Sequence, residues 1–283
     1  MYPSQISYSM HRASRHGAEI PVVGLGTGGL GDDCGSIVAA ALAAGYRHID
    51  TARKYGTERG VGEAIRAARV PRDEIFLTTK VSHEHLHAGE FERSTQASLQ
   101  ALGLDRVDLL LVHWPVPDMP LQETMGALAK MKRRGLTRHI GVANFNIALL
   151  DEAIRLCPEP LVALQAEYHP YLNQLKVLEA CRRHGLIFIA YCPLARGRLI
   201  GDPVIAEIAR AKRKTAAQIA LRWLIQQDDI AAIPRSSNVE RVAENFDVFG
   251  FVLADDEMER IAALKRPNGR VVNPVGRVSA WDD

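Results

Sequence analysis

The sequence predicts an α/β fold, a single parallel (β/α)8 (TIM-type) barrel, and three observations carry that expectation. Short apolar or β-branched runs alternate with longer segments of helical period, eight such strand-helix units follow one another, and no Ser/Pro-rich linker or break in composition divides them.

Residues 1–20 read as a polar N-terminal leader that mixes Ser, His and Arg without an unbroken apolar stretch. The barrel is expected over residues 21–265. Its strands are predicted at Val22 to Leu25, Arg47 to Thr51, Ile75 to Thr79, Val107 to Val112, His139 to Ala143, Val162 to Ala166, Ile187 to Tyr191 and Ile230 to Ile233. Helical period runs over Ser36 to Ala44, Glu58 to Arg69, Glu90 to Leu102, Leu121 to Arg134, Ile147 to Leu156, Gln174 to His184 and Thr215 to Gln227. Extra helices are expected at Leu199 to Arg210 and Asp255 to Leu264. Gly45, Gly103, Gly135 and Gly185 follow the last periodic residues of their segments, where a left-handed cap is least strained for Gly. Residues 266–283 read as an extended C-terminal tail over the catalytic face.

Of the 283 residues 47% are hydrophobic, enough for a sizeable core and too many for a disordered chain. The 35 basic residues nearly balance the 33 acidic ones, so no general attraction to nucleic acid is expected and any anion site must be local. Cys34, Cys157, Cys181 and Cys192 form no CxxC pair and read as free thiols of a reduced, cytoplasmic chain. No run of about 18 apolar residues suggests a membrane span.

Barrels of this kind do their chemistry at the C-terminal ends of the strands. Asp50 ends the second predicted strand, Lys80 the third, His113 the fourth, Asn144 the fifth, Gln165 the sixth, Tyr191 the seventh, and Arg235 with Ser236 the eighth. A lone strand-end Asp or Asn more often caps a helix, and a lone His is more often a satisfied rim residue. Convergence at seven strand ends points to a site.

Three motifs carry a family resemblance: Gly45-Tyr-Arg-His-Ile-Asp-Thr-Ala52 followed by Tyr55-Gly56 and Val61-Gly-Glu-Ala-Ile65; Leu111-Val-His-Trp-Pro115; and Ile233-Pro-Arg-Ser236 through Glu244-Asn245. From about Pro21 to Phe251 the chain resembles the aldo-keto reductase family, especially bacterial members of the 2,5-diketo-D-gluconate reductase type. The resemblance implies reduction of an aldehyde or ketone to an alcohol with NADPH in preference to NADH. The substrate would be a keto-sugar acid, a dicarbonyl or a range of aldehydes, and the protein a monomer.

The chemistry explains the residue types. Carbonyl reduction needs hydride at carbon and a proton at oxygen, and a phenol with an ordinary pKa of about 10 donates poorly at neutral pH unless a cation lowers it. By resemblance Tyr55 is the donor, Lys80 the cation, Asp50 its counter-ion and His113 the group that orients the carbonyl oxygen. Tyr191 would be the platform for the nicotinamide, with Asn144 and Gln165 at its carboxamide. Ala143 stands where the family usually has Ser. Arg235, Ser236 and Arg241 resemble the family's site for the adenosine 2′-phosphate, Glu244 and Asn245 its adenosine contacts, and Thr27, Leu194 and Arg196 further cofactor contacts.

Other readings compete. Gly24-Leu-Gly-Thr-Gly-Gly29 fits GxGxxG with Asp50 beyond it, the spacing of a Rossmann NAD site. Asp32 and Asp33 are expected to cap a helix from Cys34, which leaves those glycines outside its first turn. His83, His85 and His87 alternate on one segment and read as a solvated loop, with no metal assigned. Lys80 as a Schiff-base nucleophile would make a lyase but requires a neutral amine, and a non-catalytic dinucleotide-binding regulator remains an alternative on the same scaffold. Gly28 and Ser82 occupy positions where relatives place aromatics. A wider pocket is expected, with Trp114 and Trp281 supplying stacking surface; Lys54 at the entrance reads first as a solvated rim charge and otherwise as a group favouring carboxylates.

Overall fold

The computed structural model describes residues 12–278 and 280–282; the expected leader up to His11 lies outside them. The rest of that leader is structured. Strands β1 (Arg12–Arg15) and β2 (Ala18–Pro21) pair antiparallel around His16 and Gly17, both with positive φ. A two-residue turn with left-handed backbone matches the twist of a hairpin.

Eight parallel strands follow: β3 (Gly24–Gly26), β4 (His48–Asp50), β5 (Phe76–Val81), β6 (Val107–Val112), β7 (Thr137–Ala143), β8 (Leu161–Glu167), β9 (Ile187–Tyr191) and β10 (Ile230–Ala232). Each pairs with its sequence neighbour, and a parallel bridge between Val23 and Ala232 joins the two ends into a barrel. Ala232 N donates to the Val22 carbonyl at 2.8 Å and Gly26 N to the Pro234 carbonyl at 3.0 Å, so backbone hydrogen bonds make the seam.

Around the barrel lie α1 (Cys34–Ala44), α2 (Glu58–Ala67), α3 (Ala88–Leu102), α4 (Leu121–Arg133), α5 (Ile147–Leu156), α6 (Leu175–His184), α7 (Pro203–Lys212), α8 (Ala216–Ile225), α9 (Val239–Phe246) and α10 (Asp255–Ala262). Gly45, Gly103 and Gly185 are the left-handed caps expected of them, and Gly135 also has positive φ one residue beyond the cap of α4. Sequence reading missed α9, although Asn238 caps it by accepting from Arg241 N at 2.9 Å.

Two apolar clusters hold the molecule. The larger lies between sheet and helices. The smaller fills the barrel with Leu109, Leu111, Ala163, Ile187 and Ile189 and is closed from below by Ala18 and Ile20 of the hairpin. With the bottom sealed by apolar side chains, the interior opens at the C-terminal strand ends. Among the described residues, no helix is long and apolar enough to cross a membrane.

The glycines of the Rossmann-like motif serve the barrel. A Cβ at Gly24 would lie 2.7 Å from the His48 ring, and one at Gly26 3.0 Å from the Ile233 carbonyl. Both lie in β3, where close strand packing requires them, and no α-helix starts until Cys34. The expected caps are corrected: Asp32 and Asp33 belong to a 3-10 turn, and neither side chain caps α1.

Candidate active site

Asp50 is the last residue of β4, and Lys80 is the penultimate residue of β5. Both are buried, at 2% and 0% exposure. Lys80 Nζ donates to Asp50 Oδ1 at 2.5 Å and to the Thr51 carbonyl at 2.8 Å, while Asp50 Oδ2 accepts from Gln165 Nε2 at 2.8 Å. A buried charge persists only when paired and hydrogen-bonded in this way. Burial, the largest single influence, pushes the ammonium toward its neutral form, but the charge and hydrogen bond of Asp50 together with Tyr55 outweigh it and hold Lys80 above its ordinary value. A charged Lys80 is incompatible with the Schiff-base lyase.

Tyr55 ends a 3-10 turn, Arg53–Tyr55, beyond β4. Its hydroxyl lies 3.4 Å from His113 Nε2, and Lys80 Nζ lies 5.1 Å from its ring centroid. The expected lowering of the phenol is corrected. Burial is the largest influence and raises Tyr55 above its ordinary 10; Lys80 pulls it down without overcoming burial, and Asp50 pushes it further up. The motif revealed the cation but not how deeply the ring sits. Burial also drives His113 well below 6.5, with Lys80, His83 and Lys54 acting in the same direction. The site thus holds a neutral phenol and a neutral imidazole beside a charged amine.

Around this group the amides are already engaged. Asn144, held at φ +64°, donates from Nδ2 to the His113 carbonyl at 2.9 Å and accepts from the Tyr191 hydroxyl at 2.8 Å. Asn144 still has one N–H and one lone pair for a ligand, and Gln165, which gives one N–H to Asp50, keeps its other N–H and its carbonyl oxygen. Tyr191 is half-buried at the end of β9. Past it, Cys192, Ala195 and Arg196 all have positive φ, a local strain of the kind that collects in binding loops. Leu194 is partly buried and Arg196 exposed in that loop.

At the end of β10, Arg235 and Arg241 are exposed, and neither pairs with a carboxylate among the described residues. Arg235 Nη2 donates to the Gly29 carbonyl at 2.8 Å, which fixes one arm of its fork. Ser236 Oγ accepts from Asn238 N at 3.1 Å. Glu244 accepts from the Thr215 hydroxyl at 2.8 Å, and Asn245 is buried. Thr27 is not brought to the open site, since its buried hydroxyl donates to the Asp50 carbonyl at 3.0 Å and meets Thr57 at 3.2 Å.

Of the residues read as substrate contacts, Gly28 faces the phenol directly: a Cβ there would lie 3.4 Å from Tyr55 Cζ. Trp114 and Trp281 meet edge to face, with centroids 6.3 Å apart. Ser82 is buried, its hydroxyl donating to Glu84 Oε2 at 3.0 Å. Lys54 pairs with Glu84 at 3.2 Å, so its charge at the entrance is largely compensated. His83 also lies 3.7 Å from Glu84, and His87 lies 3.0 Å from Glu123. Among the described residues, no three His, Cys, Asp or Glu side chains gather to hold a metal. Glu167 and His169, fully buried just beyond Gln165, escape sequence reading; the signal is an acid ending β8, whose other residues are apolar except Gln165.

The aldo/keto reductase family profile matches residues 22–266. An aldo-keto reductase of Mycolicibacterium smegmatis is 45% identical over 247 residues, 87% of each chain. A crystal structure provisionally named a 2,5-diketo-D-gluconic acid reductase B is 44% identical, covers 96% of this chain and 98% of its own, and superposes with a TM-score of 0.94. An aldo/keto reductase from Brucella melitensis is 38% identical over 90% of this chain and 99% of its own, with a TM-score of 0.86. With eight parallel strands closed into a barrel and polar residues gathered at its mouth, the chain belongs to the aldo/keto reductase family of carbonyl-reducing, nicotinamide-dependent oxidoreductases.

Proposed function

We propose that the protein reduces an aldehyde or ketone with NADPH, Tyr55 giving the proton to the carbonyl oxygen. The observation that carries this reading is the gathering of Asp50, Lys80, Tyr55 and His113 within hydrogen-bonding and Coulomb range at the barrel mouth.

The residues fit the dinucleotide. Two guanidinium groups with no carboxylate partner among the described residues, those of Arg235 and Arg241, flank Ser236 and the first turn of α9, a donor set suited to a phosphate dianion and one that NADH would leave unused. The half-buried ring of Tyr191 and the remaining capacity of Asn144 and Gln165 suit a nicotinamide with its carboxamide. When bound, the cofactor supplies the hydride.

The chain's own residues do the rest. Neutral His113 donates one hydrogen bond to the carbonyl oxygen and places it against the Tyr55 hydroxyl. Tyr55 releases its proton to that oxygen as negative charge develops there, and the resulting phenolate is stabilised by Lys80, which Asp50 keeps charged. Resting Tyr55 is protonated at neutral pH, since its ordinary value of about 10 is raised further by burial, so the donor is loaded there. With no side chain at Gly28, where a Cβ would already touch the Tyr55 ring, the wall beside the phenol stays slim, which suits bulky or hydrated carbonyls such as keto-sugar acids and dicarbonyls. The Lys54–Glu84 pair argues against Lys54 as a carboxylate hook.

The test is to assay aldehydes, α-dicarbonyls and keto-sugar acids with NADPH and NADH side by side, for wild type and Arg241→Ala. Losing one charged contact of about 1.5–3 kcal/mol weakens NADPH binding by roughly 10- to 150-fold and leaves NADH unchanged. Equal loss for both cofactors would remove Arg241 from the phosphate site. No turnover with either cofactor would overturn the reading.

A further inference from the structure

We infer that Glu167 is a positioning residue that pins the C-terminal tail so that Trp281 forms part of the substrate wall. This rests on the functional reading above, which makes the space beside Tyr55 the substrate site.

Glu167 ends β8 in register with Tyr191 and is 0% exposed. Its Oε1 accepts from Val271 N at 2.6 Å and lies 2.9 Å from His169 Nε2; its Oε2 accepts from Val272 N at 2.8 Å and lies 3.9 Å from Arg270 Nη1. Two consecutive backbone N–H groups of the tail thus converge on one buried carboxylate. Without such donors, a carboxylate at this depth would be costly.

The clamp continues to the pocket. Beside Val271 and Val272, the Arg270 guanidinium lies 3.7 Å from the Trp281 ring centroid, and Asn273 Oδ1 accepts from the Trp281 indole at 2.9 Å. Trp281 in turn packs on Trp114, the residue after His113. The far end of the tail is held independently: Asp282 accepts from Ile147 N at 2.8 Å, and the Ala280 carbonyl accepts from Asn146 Nδ2 at 3.1 Å. At the near end, Gly269 passes so close to the Tyr171 carbonyl that a Cβ would sit 1.9 Å from it. The tail is therefore strapped across the barrel mouth, and Glu167 fixes the stretch that directs Trp281.

Glu167→Gln keeps the shape of the side chain but sets an amide N–H against a backbone N–H. Propanal and 2-naphthaldehyde are the probes, with NADPH and with Glu167→Gln, Trp281→Ala and the double variant. Glu167→Gln is expected to raise KM for naphthaldehyde about tenfold with kcat within about twofold and to leave propanal unchanged. Trp281→Ala should raise KM for naphthaldehyde at least as much and by more than it does for propanal, and the double variant should be no worse than Trp281→Ala alone. Should Glu167→Gln not fold, exposed Asn273→Ala supplies the same test, with a KM rise confined to naphthaldehyde. Equal effects on both aldehydes, or effects that multiply in the double variant, would overturn the inference while leaving the reductase reading intact. Wild type that reduces neither aldehyde would overturn both.

Discussion

Lys80→Met removes the ammonium facing Tyr55 while keeping a side chain of similar length. In the resting site the phenol is neutral, so the Lys80–Tyr55 attraction appears as the proton leaves. At an effective dielectric of about 20, unit charges separated by the 5.1 Å between Lys80 Nζ and the Tyr55 ring centroid attract by about 3 kcal/mol. That corresponds to a kcat about 200-fold lower, with KM little changed, because the interaction is made in the transition state. The same change strands Asp50, 2% exposed, with Gln165 as its remaining side-chain partner, and costs about 3–5 kcal/mol of stability. Adding Asp50→Asn removes the stranded charge, so the double variant should regain most of the stability and none of the activity. Steady-state reduction followed by dinucleotide absorbance, together with thermal unfolding, reads both quantities. A Lys80→Met enzyme retaining more than about a tenth of wild-type kcat would refute this electrostatic role, as would activity returning with Asp50→Asn.

The remaining expectations concern pH and pocket shape. Because burial holds Tyr55 above 10 and His113 well below 6.5, kcat for reduction should be flat from about pH 6.5 to about pH 9; a neutral-range inflection would contradict those positions. The linked stability follows in sign: unfolded His binds a proton near 6.5 while native His113 does not, so stability falls as pH drops below about 6.5, which His113→Gln should lessen in pH-dependent unfolding. Gly28→Trp places an indole over the Tyr55 ring and should lower kcat/KM for 2-naphthaldehyde by roughly 10- to 200-fold while changing propanal little; equal effects would show that position 28 does not shape the pocket.

What the sequence reveals here follows from the range of the physics involved. All eight barrel strands lie where apolar and β-branched runs predict them, because a parallel strand buried on both faces must be apolar along its length. The polar residues ending those strands are legible because Asp50 and Lys80 set a charge at the end of a short apolar or β-branched run. The β1–β2 hairpin is harder to see because His16-Gly17 is not a common turn pair and Arg and Ser obscure the alternation of Ala13, Ala18 and Ile20. Residues such as Arg241 and Glu244 drew a binding role before a helical one, although Asn238 marks the start of α9. Apart from Lys80 with Asp50, which the family resemblance implied, side-chain partnerships are not legible. Gln165 with Asp50, Lys54 with Glu84 and Glu167 with the tail join residues far apart in the chain, and their meeting depends on barrel register and loop paths. The raised Tyr55 phenol has the same origin, since depth of burial is a property of the whole fold.

The most direct measurement is a single turnover by Tyr55→Phe with NADPH already bound and a saturating aldehyde. The loss of one oxygen atom should leave dinucleotide affinity within about twofold and slow hydride transfer by at least about 10³-fold, because the donor left at that oxygen, neutral His113, is a far weaker acid than the phenol. Hydride transfer at a rate near wild type would show that the proton comes from another group and would contradict the role given to Tyr55.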